Sequence, residues 1–124
     1  MIKGIGTDLC QISRMAELLL DSNFLNRYFD PEEQTYIRSR GVFASASMAG
    51  HFAAKEAFVK ALGSGFRGIR PEDVAVRHHD SGAPYYELKA GAGKAAEKGG
   101  VSRMFLSISH EGGFALAFCV LEGS

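Results

Sequence analysis

The sequence is poor in the features that announce a function directly. Of its 124 residues only two are cysteine, Cys10 and Cys119. That is too few, and they lie too far apart, for a disulfide framework or a zinc knuckle; they read as reduced thiols of a cytoplasmic protein. Net charge is absent, since Lys+Arg and Asp+Glu both count 14. No basic field is therefore available to hold nucleic acid or an anionic membrane, and any phosphate recognition has to be local. The longest apolar run, Phe114 to Leu121, falls far short of the roughly 20 residues that cross a bilayer. The start, Met-Ile-Lys-Gly-Ile-Gly, lacks the apolar core and cleavage site of a signal peptide. Linkers, internal repeats and low-complexity segments are missing too, so one domain over residues 1–124 is expected.

What is present is a globular composition, 46% hydrophobic and 23% charged. Ile2 to Leu9 reads as a glycine-containing strand that delivers Asp8 at its end. Ser13 is the expected N-cap of a helix over Arg14 to Leu20, with Asp21-Ser22-Asn23 marking its exit. Asp30-Pro31-Glu32-Glu33 combines a capping residue, proline at the first helical position and a carboxylate three residues after the cap. The strongest helix is expected from Ser45 to Leu62, rich in alanine and stopped by Gly63. Its Ala49, Ala53, Ala57 and Ala61 form a low-relief stripe for close packing.

Asp73 to His79 alternates as a strand and turns at Asp80-Ser81-Gly82 into Pro84 to Leu88. A short helix over Ala92 to Lys98 leads to a second hairpin, Arg103 to His110 and Phe114 to Leu121, around Glu111-Gly112-Gly113. The order, helices early and antiparallel hairpins late, is α+β. The last strand is apolar on both alternating faces, so both need cover, and a subunit interface is one source of it.

Three groups carry the chemistry. Glu56 and Lys60 stand four apart and share a helix face. That spacing equally describes a surface ion pair, but Phe52, Ala53, Ala57 and Phe58 make this a partly buried helix, where charges need a metal or ligand. Mg²⁺ takes one or two carboxylates and completes its shell with waters and phosphates. Asp8 and Glu56 would supply them, with Lys60 neutralising phosphate charge. A turn or capping role for Asp8 stays open. Gly63-Ser64-Gly65-Phe66-Arg67-Gly68 follows a helix rather than opening one, which excludes a Walker loop and leaves it to shape a cleft. Ser107 and Ser109 share a strand face with His110 at the turn, but no nucleophile elbow accompanies them. His51, His78 and His79 show no metal spacing.

Gly4-Ile5-Gly6-Thr7-Asp8-Leu9, Phe52-Ala53-Ala54-Lys55-Glu56-Ala57 with Lys60 and Gly63, and Ser107-Ile108-Ser109-His110 occur in this order. Together they resemble the holo-acyl-carrier-protein synthases, the small phosphopantetheinyl transferases, over essentially the whole chain. The resemblance implies antiparallel hairpins packed on a long central helix, assembled as a homotrimer with a coenzyme A cleft at each subunit boundary. It also implies transfer of 4′-phosphopantetheine from coenzyme A to a serine of apo acyl carrier protein, for fatty acid biosynthesis, with release of adenosine 3′,5′-bisphosphate. By position, Asp8 and Glu56 correspond to Mg²⁺ ligands and Lys60 to their cationic partner. Gly63, Ser64, Gly65, Pro84, Ser109, His110 and His51 correspond to the coenzyme A cleft, and Arg14, Phe24 and Arg27 to carrier-binding positions.

Two departures are visible. Relatives commonly carry arginine where His51 stands, so a fixed positive charge becomes one that depends on pH. The first helix holds Glu17 and Asp21, with Arg14 its only cation, so carrier recognition is expected either to be weaker or to lean on Arg27, Arg38 and Arg40. The alternatives are a non-catalytic trimer that binds coenzyme A and carrier, and a metal-dependent phosphohydrolase using the same carboxylates.

Overall fold

Alanine and glycine set how closely this chain packs. The computed structural model describes residues 1–124. Strand β1 (Ile2–Gln11) leads into three short helices, α1 (Ile12–Leu18), α2 (Ser22–Tyr28) and α3 (Pro31–Ser39). The long helix α4 (Ala44–Leu62) follows, then the hairpin of β2 (Val74–His78) and β3 (Pro84–Leu88), helix α5 (Ala90–Lys98), and the hairpin of β4 (Val101–Glu111) and β5 (Phe114–Gly123). The strands form two antiparallel sheets, one in the order β1-β5-β4 and one of β2 with β3. This is the α+β arrangement read from the sequence. No helix is long and apolar enough to cross a membrane.

Helix α4 lies at the centre. It is buried on most of its circumference, with Met48, Ala49, Ala53, Ala54, Ala57 and Phe58 fully enclosed. Gly63 ends it at φ 78°, the left-handed conformation open to glycine, and donates its N–H to the Val59 and Lys60 carbonyls. The alanine stripe meets β1 and β5. A Cβ added at Gly4 would land on the carbonyl oxygen of Ala61, and one added at Gly6 on that of Ala57. Two strand residues rise about 6.6 Å and one helical turn about 5.4 Å, so Gly4 and Gly6 step along the helix nearly turn for turn. Asp8 and Cys10 continue on the same inward face of β1, which buries Gly6 and Cys10 and half-buries Asp8.

Helix α3 begins as its sequence states. The Asp30 carboxylate accepts from the Glu33 N–H at 2.8 Å, and the Glu33 carboxylate accepts from the Asp30 N–H at 3.1 Å. Four expectations need correction. β1 runs three residues past Asp8, because its pairing with β5 continues to Gln11 opposite Phe114. α1 starts at Ile12, and neither Ser13 nor its actual N-cap, Gln11, caps it by side chain. Asp21 does not mark a simple exit but caps a further helix, α2, accepting from the Phe24 N–H at 3.1 Å. Asp73 belongs to a single 3₁₀ turn before β2, and His79 lies beyond the strand.

In β5, Ala115, Ala117, Cys119 and Leu121 are buried toward α4. Phe114, Leu116 and Phe118 point the other way, beside Ile5 and Leu9 of β1 and Phe105 of β4, and remain exposed. Within one chain, then, only one face of the sheet is covered.

Candidate active site

Strand alternation and helical spacing bring the three candidate catalytic residues to one seam. Asp8 is the first residue with a side chain on the inward face of β1 after Gly4 and Gly6, and so it faces α4. Lys60 reaches across the seam, donating from Nζ to Asp8 Oδ1 at 3.1 Å and to the Thr7 carbonyl at 3.0 Å. Its partner is thus Asp8 rather than Glu56, which has no hydrogen-bonded cation and lies half-buried one turn back. Burial pushes the Glu56 carboxyl upward and the Asp8 charge adds to that; Lys60 and Arg14 offset it only in part.

Two carboxylates converge here in partly buried surroundings, with access to solvent. No third His, Cys, Asp or Glu joins them, and that suits Mg²⁺, which takes one or two protein carboxylates and leaves the rest of its shell to water and phosphate oxygen. The residues present fit that ion.

One turn along α4, on the opposite side, lies a closed ionic network. Lys55 is fully buried, and its ammonium uses all three donors, on Glu33 Oε1 at 2.7 Å, the Val74 carbonyl at 2.7 Å and the Pro71 carbonyl at 3.1 Å. The other Glu33 oxygen meets His51 Nδ1 at 3.0 Å. His51 and Lys55 are four apart, so the N-terminus of α3 clamps one face of α4 through a single carboxylate. Burial works to raise the Glu33 carboxyl, but Lys55 and His51 outweigh it and hold it low. Burial likewise lowers His51 and Lys55 against the pull of Glu33.

His51 Nε2 continues to His78 Nε2 at 2.9 Å. Sequence spacing gave no hint of this pair, because β2 brings His78 to α4 from 27 residues away. Both histidines border a cavity of about 270 Å³ together with Tyr36, Arg40, Pro84 and His110. His110 is fixed there by its contact with the Ala46 carbonyl at 2.9 Å. Of the residues expected to line a coenzyme A cleft, His51, Pro84 and His110 therefore share this cavity. Gly63, Ser64 and Gly65 sit exposed at the end of α4, and Ser109 is on the outer sheet face; none of these four borders it. Tyr36, Arg40 and His78 were not assigned to the cleft from sequence, since nothing local marks them.

Of the candidate carrier-binding residues, Arg14 and Phe24 meet at the Phe52 ring of α4. The Arg14 guanidinium lies 5.0 Å from the centre of the Phe52 ring. Phe24 stacks on Tyr28 at 4.5 Å and on Phe52 at 6.2 Å. Arg27 is exposed on α2. Because Arg14 also acts on the Glu56 carboxyl, this aromatic cluster adjoins the carboxylates.

Known proteins share this plan. A family model described as the 4′-phosphopantetheinyl transferase superfamily matches residues 4–119. The holo-[acyl-carrier-protein] synthase of Halothermothrix orenii is 41% identical over 124 residues, which is 98% of each chain. The crystal structure of the synthase from Neisseria meningitidis superposes with a TM-score of 0.89 at 37% identity, covering 98% of this chain and 99% of that one. The synthase of Helicobacter pylori, solved in complex with coenzyme A, gives a TM-score of 0.82 at 30% identity over 95% and 99% of the two chains. With its motifs in order and its fold and sequence shared from end to end, this chain belongs to the holo-[acyl-carrier-protein] synthase family of the 4′-phosphopantetheinyl transferase superfamily.

Proposed function

We propose that this protein transfers the 4′-phosphopantetheine group of coenzyme A to a serine of an apo acyl carrier protein and releases adenosine 3′,5′-bisphosphate, in support of fatty acid biosynthesis in the cytoplasm. The observation that carries the reading is the convergence of Asp8, Glu56 and Lys60 at the β1–α4 seam, next to an aromatic surface at Phe52. Asp8 and Glu56 would hold Mg²⁺, which when bound offsets negative charge on phosphate oxygens. Lys60, held by Asp8 and Thr7 with its ammonium facing solvent, neutralises charge that gathers on the departing bisphosphate. The serine oxygen forms the new bond to the phosphorus bearing pantetheine as the bond to the bisphosphate breaks, and the hydroxyl proton leaves to the carboxylates or to solvent. Arg14, Phe24 and Arg27 offer a cationic and aromatic docking edge, suited to a carrier that is acidic around its serine.

The open face of the sheet, with Phe105, Leu116 and Phe118 each about two-fifths exposed, supports assembly into a homotrimer in which each neighbour covers it. Sedimentation at equilibrium reads that mass directly, and a monomer at all concentrations refutes it.

The transfer is tested by incubating the protein with coenzyme A, Mg²⁺ and an apo carrier, with and without chelator, and weighing the carrier. A gain of one phosphopantetheine mass that chelator abolishes is the expected result. No gain on a carrier that a control transferase accepts counts against it, and release of product from coenzyme A without any carrier points to a phosphohydrolase instead.

A further inference from the structure

Arg14 stands where the docking edge meets the carboxylate pair. It extends from α1 with its guanidinium 5.0 Å from the centre of the Phe52 ring. Phe52 and Glu56 are four apart on α4 and share a face. A helical side chain leans toward the N-terminus of its helix, which carries the Glu56 carboxylate back toward Phe52 and the cation on it. Yet Arg14 is exposed and forms no ion pair, with Glu56 or with any other carboxylate. The aromatic ring holds it near the carboxylates without bonding it to them.

Two neighbouring groups register its charge. At Glu56, burial and Asp8 raise the carboxyl, and Lys60 and Arg14 oppose them. At Cys10, buried two residues beyond Asp8 on the inward face of β1, burial raises the thiol, Arg14 opposes it, and Asp8 and Glu56 add to it. Arg14 therefore belongs to one cluster with both carboxylates. That cluster holds two carboxylates, Asp8 and Glu56, and two cations, Lys60 and Arg14, so its charges sum to zero. An approaching divalent cation meets little net field. The two cations differ in how firmly they are held. Lys60 is bonded to Asp8 and to the Thr7 carbonyl, whereas Arg14 faces solvent with no carboxylate partner and is free to take an incoming one.

We propose that Arg14 is an exchangeable counter-charge, which in the free protein weakens the hold of Asp8 and Glu56 on Mg²⁺ until an acidic carrier, a partner that rests on the transferase reading, draws it into an ion pair. Carrier and metal then favour each other's binding, because coupling between two sites is reciprocal. The metal site reaches full strength only with the acceptor serine at hand.

Coenzyme A is left out at first, so that nothing turns over. Titration calorimetry gives the Mg²⁺ affinity of wild type, Arg14→Gln and Arg14→Lys at low salt, where screening is weak. Arg14→Gln should bind Mg²⁺ about fivefold more tightly than wild type, the lower end of coupling between linked sites. Arg14→Lys keeps the charge and should stay close to wild type. An apo fatty-acid-type carrier should tighten Mg²⁺ binding by wild type by a similar factor, beyond the metal that the carrier takes up alone, and Asp8→Asn should lose that gain. Equal affinities in wild type and Arg14→Gln would overturn the proposal, as would equal tightening in the lysine variant or a carrier-induced gain that survives Asp8→Asn. Coenzyme A is then added to the wild-type samples. Transfer to the carrier alongside any of those results leaves the transferase reading standing, whereas absence of transfer removes that reading and the carrier as the partner of Arg14 with it.

Discussion

Glu33 and Lys55 form a 2.7 Å salt bridge with neither side chain exposed to solvent. Removing one partner leaves a buried charge, which costs about 3–5 kcal/mol. Lys55→Met is expected to lose stability of that order, and Glu33→Gln to lose a comparable amount although glutamine can still serve the capping box. The double variant should recover part of the loss. Urea denaturation of all three checks this, and additive losses in the double variant would mean that the pair is not coupled.

The Lys60–Asp8 pair behaves differently because Lys60 is 57% exposed. Asp8→Asn is expected to change stability by less than about 1 kcal/mol. Phosphopantetheine transfer should nevertheless fall by at least about 100-fold, the scale set by removing one charge-stabilising group from a reacting site. Glu56→Gln should act in the same way. Thermal melts alongside carrier mass measurements separate the two effects, and full transfer in either variant would remove the metal assignment.

Acid should weaken the fold in part through Asp30. Burial works to raise its carboxyl, yet hydrogen bonds from Arg77, the Glu33 N–H and Lys89 hold it well below the usual carboxylate range. A carboxyl lowered on folding contributes stability that is complete above its unfolded value of about 3.9 and fades as pH falls below it. Stability should therefore drop between about pH 5 and pH 2, and Asp30→Asn, which keeps a capping side chain, should flatten that drop. Denaturation midpoints across this range provide the check.

Gly6→Ala would drive a methyl group into the Ala57 carbonyl oxygen. Backbone cannot yield as a side chain does, so β1 has to lift from α4. A loss of about 3 kcal/mol or more is expected, an overpacking cost at its upper range. Gly41→Ala, with φ 58° but nothing within reach of an added Cβ, should cost only about 1 kcal/mol. Comparison of the two melting temperatures isolates the close approach.

Local signals in the sequence located what local forces build. The capping box at Asp30, the alanine helix stopped by Gly63 and both hairpins lie close to where they were read. Asp21-Ser22-Asn23 misled because the residues that end a helix are also those that cap one, and the Phe24 N–H uses Asp21 in the second sense. Of the site, Asp8, Glu56 and Lys60 were legible as residue types, but the pairing of Lys60 with Asp8 spans 52 positions and depends on strand register. The His51–His78 contact spans 27 positions and depends on how β2 docks beside α4, which no periodicity in either segment records.

The turn-for-turn seating of Gly4 and Gly6 against Ala61 and Ala57 bears on which changes of length the chain tolerates. A single residue inserted or deleted between Gly4 and Asp8 would swing Asp8 to the outer sheet face and bring a side chain onto a helix carbonyl, so that site and fold would fail together. Length can vary instead where no such gearing exists, as in the exposed 79–82 turn between β2 and β3. In lineages of this protein, insertions and deletions should collect in such turns and spare the first ten residues.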